Sequence, residues 1–424
     1  MVRILLLTYN SVMTSGILQS QVAGLLKQLK SCYPEDLDFY LITAEKWKDF
    51  SNQKKKESFT KEMASSGIKV YILPKFLPSQ LRKVSTEESI NSSLVTFIFF
   101  LLDMFLLGSV SLWVIFLKRI NILHARSYIP AILALALKQL TGRKVIFDPR
   151  GIIPEELQLT KNWSATDSQY LKWKKVEKKL LIKSDAVIVL SHPFREHYQK
   201  IIPSLEPVRV PCAVDMSHFR PYYKKAGELQ ESLGLKDKFI VLYTMGHYVP
   251  YQDFDSAINL FTEILLSIPN AHFLILSPDV IAIKIALKKH LEESQYTVMT
   301  VEYSQMPEYI CMSHVGILVR VPSPITAVSS PVKLPEYLAC GVPVIAQPGI
   351  GDTDLILSNH ITGIILENGH LSVEDILWLK QLSSTEFRLS VSKECILLAK
   401  SHFSWDIYLN TYYQLYTRLA SITR

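Results

Sequence analysis

The sequence predicts an α/β protein of two similar domains, each a parallel sheet covered by helices, and three observations predict it. The chain has 424 residues, more than one hydrophobic core usually serves, since single cores rarely grow past roughly 250 to 300 residues. Short apolar, β-branched runs alternate with longer helical stretches, the pattern of strands buried on both faces. After a polar, basic stretch ending near Lys225 the alternation starts again.

Strands are expected at residues 4–8, 39–42, 70–73, 120–124, 145–148 and 186–190 in the first half, and at 239–244, 273–277, 297–301, 315–319 and 343–346 in the second. The start, Met1-Val2-Arg3-Ile4-Leu5-Leu6-Leu7-Thr8, lacks a long apolar core and a small-residue cleavage site, so it reads as a buried strand rather than a signal peptide. Residues 403–416 begin with Phe403-Ser404-Trp405; the serine suits a cap and the rest an amphipathic helix. Domains are therefore placed at 1–215 and 216–402, with a terminal helix over 403–424.

Composition narrows the class. A hydrophobic fraction of 48% with 20% charged residues fits a globular protein with large buried sheets. A net charge of +7 is modest for a nucleic-acid binder, and no recognition motif accompanies it, so an anionic surface or substrate is the better partner. Five cysteines, Cys32, Cys212, Cys311, Cys340 and Cys395, show neither Cys-x-x-Cys nor zinc spacing, which points to a reducing cytosol.

Residues 94–117 are long and apolar enough to span a bilayer, with Asp103 as the one charge. A span would put earlier and later strands of one sheet on opposite sides of the membrane. The expectation is instead a helix half buried in the domain and half resting in the lipid interface. Lys54, Lys55, Lys56, Lys61, Lys69, Lys75, Arg82 and Lys83 would draw it to anionic lipid or simply form a solvated loop.

The most telling segment is Ser329-Ser330-Pro331-Val332-Lys333-Leu334-Pro335-Glu336-Tyr337-Leu338-Ala339-Cys340-Gly341-Val342-Pro343-Val344-Ile345-Ala346. Ser330 suits a helix cap, Pro331 the first turn and Gly341 the left-handed stop. Backbone N–H groups near Val332 and Lys333, the helix dipole and the Lys333 ammonium would converge on one anion, as a nucleotide diphosphate requires. Glu336 lies one turn further on the same face and would take ribose hydroxyls. A capping box on Ser330 would need its acid at position 333, so Glu336 is in the wrong register for one.

This segment resembles the nucleotide-sugar site of the GT-B glycosyltransferases, in particular the retaining glycosyltransferase family 4. That family carries Glu-x7-Glu before Ala-Cys-Gly-x-Pro-Val-Ile, the second acid binding ribose and the first touching the donor sugar. Here Glu336 fills the second place and Val328 the first. Pro211-Cys212-Ala213-Val214-Asp215 with Phe219, and the Phe-Ser-Trp opening of the last helix, resemble further segments of the family. The resemblance implies two Rossmann-like doubly wound domains facing a cleft, with the C-terminal helix crossing back to the first. It also implies transfer of a sugar from a nucleoside diphosphate, hexosyltransferase-type and retaining, to a glycan or lipid-linked acceptor in bacterial surface polysaccharide synthesis. The implied location is cytoplasmic, peripheral on the inner face of the membrane.

Other site candidates follow from strand ends, where doubly wound sheets bind ligands. Gly16 lies after the first strand and Gly246 after the first strand of the second half, both on the donor side with Arg320, Ser330, Val332, Lys333 and Glu336. Behind Gly246 the family places an arginine and then a lysine, whereas this chain has His247 and Tyr251-Gln252; the diphosphate is therefore assigned to Lys333 and Arg320. His124 and Arg126, where the family often has His-x-His, join Asp148, Arg150 and Glu155 as the catalytic-side group. His124 serves equally well as a core histidine. Asp253-Phe254-Asp255 and Asp352-Thr353-Asp354 are better read as helix caps than as the metal-binding pairs of GT-A enzymes. No metal and no cofactor are expected beyond the nucleotide-sugar substrate. Two rivals stay open: a nucleotide-sugar epimerase of the same fold, and a non-catalytic assembly subunit, for which Val328 and Arg126 leave room.

Overall fold

The computed structural model describes residues 1–76, 90–246, 252–358 and 360–421, without the side chains of 90–93. Arg82, Lys83, His247 and Tyr251 lie outside the described residues. The chain divides into two compact units, the first of Met1–Leu190, Phe194–Val210 and Trp405–Arg424, the second of Ser191–Pro193 and Pro211–Ser404. Residues 211–215, counted with the first half on sequence, belong to the second unit.

The first unit holds a seven-stranded sheet of β1 (Val2–Thr8), β2 (Leu37–Lys46), β3 (Lys69–Lys75), β4 (Ile122–Arg126), β5 (Lys144–Asp148), β6 (Ala186–Val189) and β7 (Val208–Arg209). Its order is β3-β2-β1-β4-β5-β6-β7, and the pairs are parallel. The order reverses between β1 and β4, where Thr8 pairs with Arg126, the switch point at which such sheets take ligands. Ile4, Leu5, Leu6 and Leu7 are all buried, which is why β1 reads as an unbroken apolar run. β4 starts two residues later than expected, so His124 sits in its middle and Arg126 at its end. The two-residue β7 carries too little pattern to be read from sequence.

The second unit holds six parallel strands: β8 (Phe239–Thr244), β9 (Ala271–Leu276), β10 (Tyr296–Met299), β11 (Val315–Leu318), β12 (Val344–Ala346) and β13 (Gly363–Ile365). Their order, β10-β9-β8-β11-β12-β13, reverses between β8 and β11. Gly246 follows the first of these and Arg320 the second.

Two helices of the first unit matter for function. In the apolar helix Ile90–Leu117, Asp103, Leu107, Ser111, Val114 and Ile115 are buried, a three-and-four-residue stripe against the domain. Leu94, Ile98, Leu101, Phe105, Trp113 and Phe116 are exposed on the other side. Asp103 is not a membrane charge: its carboxylate accepts hydrogen bonds from the Tyr9 hydroxyl and from the Phe76 N–H at 2.7 Å, fastening the helix to the ends of β1 and β3. The helix Trp405–Ser421 belongs to the first unit and buries Trp405, Tyr408, Leu409, Tyr412, Leu415, Tyr416 and Leu419. Tyr413 stacks on Tyr33 with ring centroids 4.2 Å apart.

Candidate functional site

In the second unit the helix Lys333–Ala339 is pinned to the carboxyl end of β8 by one side chain. The Tyr337 hydroxyl accepts the Thr244 N–H at 2.8 Å and donates to the Thr244 hydroxyl at 2.8 Å. The ring fits because β11 has Gly316 beside it; a Cβ there would lie 2.4 Å from the Tyr337 ring. Gly341 ends the segment with φ +78°, the left-handed stop the sequence suggested.

Ser330 does not cap this helix. The helix starts at Lys333 with Val332 as its N-cap, a residue already in right-handed conformation and without a side-chain cap. Ser330 is then too far upstream, and its hydroxyl instead accepts the Cys212 N–H at 3.0 Å, tying down the 211–215 segment. Pro331 likewise lies outside the helix.

Lys333 and Glu336 lie one turn apart at this place, and both are out of their ordinary protonation range. The Lys333 ammonium sits 4.3 Å above the Tyr243 ring. Burial, then the nearby Arg320, push it down to about 7, against the pull of Glu336. Glu336 is buried; burial pushes its carboxyl up to about 8, opposed by Lys333 and by a hydrogen bond from Tyr303. Burial thus pushes both groups toward their neutral forms, a perturbation that clusters at functional sites. The Arg320 N–H donates to Gln347 Oε1 at 2.8 Å. Among the described residues, none comes within 4 Å of where a Cβ would stand on Gly246. Val328 is buried at the place of the family's first acid, and its carbonyl accepts the Ser191 hydroxyl at 3.0 Å. The structure therefore gathers Gly246, Arg320, Val332, Lys333 and Glu336 around the carboxyl ends of β8 and β11 and assigns Ser330 elsewhere.

The acidic pairs divide. Asp253 caps the helix Phe254–Ser267 as expected, accepting the Ser256 N–H at 3.4 Å. Asp352 does not cap with its side chain; it accepts the His192 N–H at 2.9 Å and pairs with His192 Nδ1 at 3.2 Å. Asp354 accepts the Gly349 N–H at 2.9 Å.

In the first unit, Asp148 at the end of β5 is the hub of a buried network. Arg150 Nε lies 2.7 Å from its carboxylate, Arg126 Nη1 3.5 Å and His124 Nε2 3.4 Å. His124 Nδ1 meets the Tyr416 hydroxyl at 2.8 Å, and Arg150 Nη2 donates to the Tyr412 hydroxyl at 3.4 Å. Burial opposes ionisation of Asp148, yet Arg150, the His124 hydrogen bond and Arg126 outweigh it and hold the carboxyl well below the usual range. Burial pushes His124 down, against Asp148, so its ring is neutral. Arg150 has φ +63°, a strained conformation for an arginine that the ion pair holds in place. His124 and Asp148 thus anchor the C-terminal helix and orient two guanidinium groups at the switch point.

Glu155 belongs to a different cluster. It pairs with Lys174 at 2.9 Å and accepts from the Tyr170 hydroxyl at 3.3 Å. With Glu177 and His197 it forms a group whose ligating atoms lie within 4.8 Å of one another, the one such group found among the described residues. Lys174 also pairs with Glu177, so an ammonium already supplies the positive charge that these carboxylates need.

Gly16 starts the short helix Gly16–Leu18 behind β1, capped by Ser15. The loop before it is held by Thr43 and Glu45, which sequence reasoning missed, and by Lys75, which was expected in a solvated or lipid-facing place and is buried instead. The Met13 N–H donates to Glu45 Oε1 at 3.0 Å, the Val12 N–H to Thr43 Oγ1 at 3.3 Å and the Lys75 ammonium to the Tyr9 carbonyl at 2.6 Å. The signal was available: Thr43 and Glu45 are alternate polar residues following the apolar run at residues 39–42 of the strand. Tyr243, Tyr303 and Tyr337 were missed for the opposite reason, because tyrosines in apolar runs look like packing.

Comparison with known proteins agrees with this geometry. The family model for Glycosyltransferase Family 4 matches residues 57–218, and that for Glycosyl transferases group 1 matches residues 226–392. No curated protein matches the chain. Among solved structures, the fold is similar to sucrose-phosphate synthase from Thermosynechococcus elongatus, with a TM-score of 0.71, 14% identity and 100% of each chain covered. It is also similar to Anabaena HepE solved with UDP and glucose, with a TM-score of 0.67, 13% identity, and 99% of this chain and 100% of that one covered. A glycosyltransferase from Rickettsia africae gives a TM-score of 0.65 at 15% identity, covering 99% of this chain and 98% of that one. Two Rossmann-like units, two matching domain models and these neighbours together make this chain a GT-B glycosyltransferase of the family 4, group 1 type.

Proposed function

We propose that the protein moves a hexose-type sugar, with retention, from a nucleoside diphosphate sugar to a glycan or lipid-linked acceptor in bacterial surface polysaccharide synthesis. The observation that carries the reading is the pair of half-buried Lys333 and buried Glu336, one turn apart, with the ammonium on the Tyr243 ring. Glu336 takes the ribose hydroxyls, while Lys333, Arg320 and the N–H groups near Val332 and Lys333 take the diphosphate. Charge on the departing diphosphate grows in the transition state, so these cations act on the chemical step as well as on binding. The leaving phosphate assists the acceptor hydroxyl, and no divalent metal is required. HepE, solved with UDP-glucose, supports UDP-sugars as the first donors to try. Arg126 and Arg150, oriented by Asp148, serve the acceptor side.

The exposed apolar face of the helix Ile90–Leu117 supports a peripheral position on an anionic membrane surface, where a lipid-linked acceptor is reached. One observation favours a second reading, a non-catalytic assembly subunit: Val328 leaves no carboxylate where the family contacts the donor sugar.

The test is thermal shift across UDP, GDP and ADP, followed by turnover of the matching sugar donor with excess chelator. Selective stabilisation by one nucleotide and chelator-resistant turnover are expected. Loss of turnover restored by magnesium or manganese overturns the metal-free mechanism, and stabilisation by none of the three supports the assembly subunit.

A further inference from the structure

We infer that Cys311 is a redox modification site and Cys340 its resolving thiol, so that a reversible disulfide at the end of the donor helix controls nucleotide binding. The inference rests on the donor-site reading above. Sequence spacing gave the five cysteines no pairing, but the fold sets the Cys311 thiol against Cys340. Cys311 ends the helix Met306–Cys311, and Cys340 is the C-cap of the helix Lys333–Ala339. The Cys311 thiol lies 3.7 Å from the Cys340 carbonyl oxygen and 3.4 Å from that of Arg220, and it accepts the Tyr222 N–H at 3.3 Å. Each thiol also shifts the titration of the other.

The roles follow from their surroundings. Cys311 is only partly buried, so a small oxidant can reach it. The hydrogen bond from Cys340, then the Tyr222 N–H, lower its thiol against burial and the Glu308 charge, and the thiolate is the attacking form. Cys340 is 1% exposed, and burial with the Cys311 hydrogen bond raises its thiol, which suits the partner that attacks second. With a small disulfide as oxidant, the Cys311 thiolate attacks one of its sulfurs, forming a mixed disulfide and releasing one thiol. The Cys340 sulfur then displaces the second thiol from Cys311 and gives up its proton. Two protein thiols are oxidised, and one disulfide is reduced to two thiols.

The consequence for the site is mechanical. A disulfide fixes the two sulfurs about 2 Å apart, whereas the reduced Cys311 thiol rests on the Cys340 carbonyl oxygen at 3.7 Å. The Cys340 N–H donates to the Glu336 carbonyl at 3.2 Å, so a pull on Cys340 acts on the last turn, which carries Glu336. On the far side there is little room, since even a Cβ at Gly341 would lie 1.9 Å from the Ser392 hydroxyl. The turn bearing Glu336 therefore moves.

The experiment equilibrates the full chain in reduced and oxidised glutathione, maps disulfides by peptide mass spectrometry and measures UDP-glucose affinity in parallel. A 311–340 disulfide and an affinity lowered about tenfold or more are expected in the parent, with both effects absent from Cys311→Ser and restored by reductant. Cys311→Ala serves if the serine variant does not fold. A mixed disulfide that never resolves to Cys340 overturns the pair, and a 311–340 disulfide with unchanged affinity overturns the control. Reduced parent that binds no nucleotide refutes the donor-site reading and, with it, the control; the mass map reports the disulfide independently.

Discussion

If the proposed function holds, replacing Glu336 by glutamine should weaken nucleotide binding and strengthen the fold at once, because the proposal gives the buried carboxyl to a ligand rather than to the core. A hydrogen bond to a charged group contributes about 1.5 to 3 kcal/mol, so UDP-glucose affinity should fall about ten- to a hundredfold. The stability effect has the opposite sign. Burial raises the folded carboxyl from 4.5 to about 8, so it costs nothing below the unfolded value, and the cost grows as pH rises towards 8. The full shift corresponds to a ceiling of roughly 5 kcal/mol. Lys333 takes back part of this, since Glu336 favours its charge; a gain on the order of 1 to 2 kcal/mol raises Tm by about 2 to 4 °C per kcal/mol. The gain should be absent near pH 4.5 and complete above 8. Affinity itself should be bell-shaped in the parent. Below about 7 Glu336 must lose a proton to bind, and above about 8 Lys333 must gain one. Each limb therefore falls by up to tenfold per pH unit. Calorimetry with UDP-glucose is the assay, its diphosphate diester having no titration in this range. Glu336→Gln should lose the acid limb and Lys333→Ala the alkaline one. A Glu336→Gln protein that binds like the parent with the same pH profile, or that is less stable at pH 8, refutes the reasoning.

Three further outcomes are expected. Asp148→Asn leaves Arg126 and Arg150 without their buried counter-charge and should cost about 3 to 5 kcal/mol in urea unfolding; a loss below about 1 kcal/mol would show that the network holds little. Gly316→Ala sets a Cβ 2.4 Å from the Tyr337 ring, which should destabilise by about 1 to 3 kcal/mol and weaken nucleotide binding through the displaced helix; unchanged affinity would uncouple Tyr337 from the site. The protein should sediment with anionic vesicles in a salt-weakened manner, and Phe105→Ser, at a side chain 75% exposed, should reduce this without altering Tm. Full release by salt removes the interfacial role of the helix, and resistance to both salt and alkaline carbonate indicates a span.

The sequence by itself determined the two-sheet architecture, because strands covered on both faces must be apolar throughout and that run is visible in one dimension, as in β1 and β8. It also placed Val332, Lys333 and Glu336 together, since they are neighbours along one segment and their spacing is local. Tertiary structure decided the rest. Ser330 had the right residue type for a cap and was claimed by Cys212, which lies 118 positions away in the chain. His124 and Arg150 looked like strand-end chemistry, and their partners Tyr416 and Tyr412 come from the last helix. Glu155 was counted with them because it is close in sequence, but its carboxylate turns to Lys174 on another helix. Asp103 read as a charge within a membrane-length helix, and it is the hydrogen-bonded anchor of that helix to Tyr9 and Phe76. In each case the residue type was legible and its partner was not, because hydrogen bonds and ion pairs are satisfied by whatever the fold brings within about 3 Å, and sequence separation does not limit that.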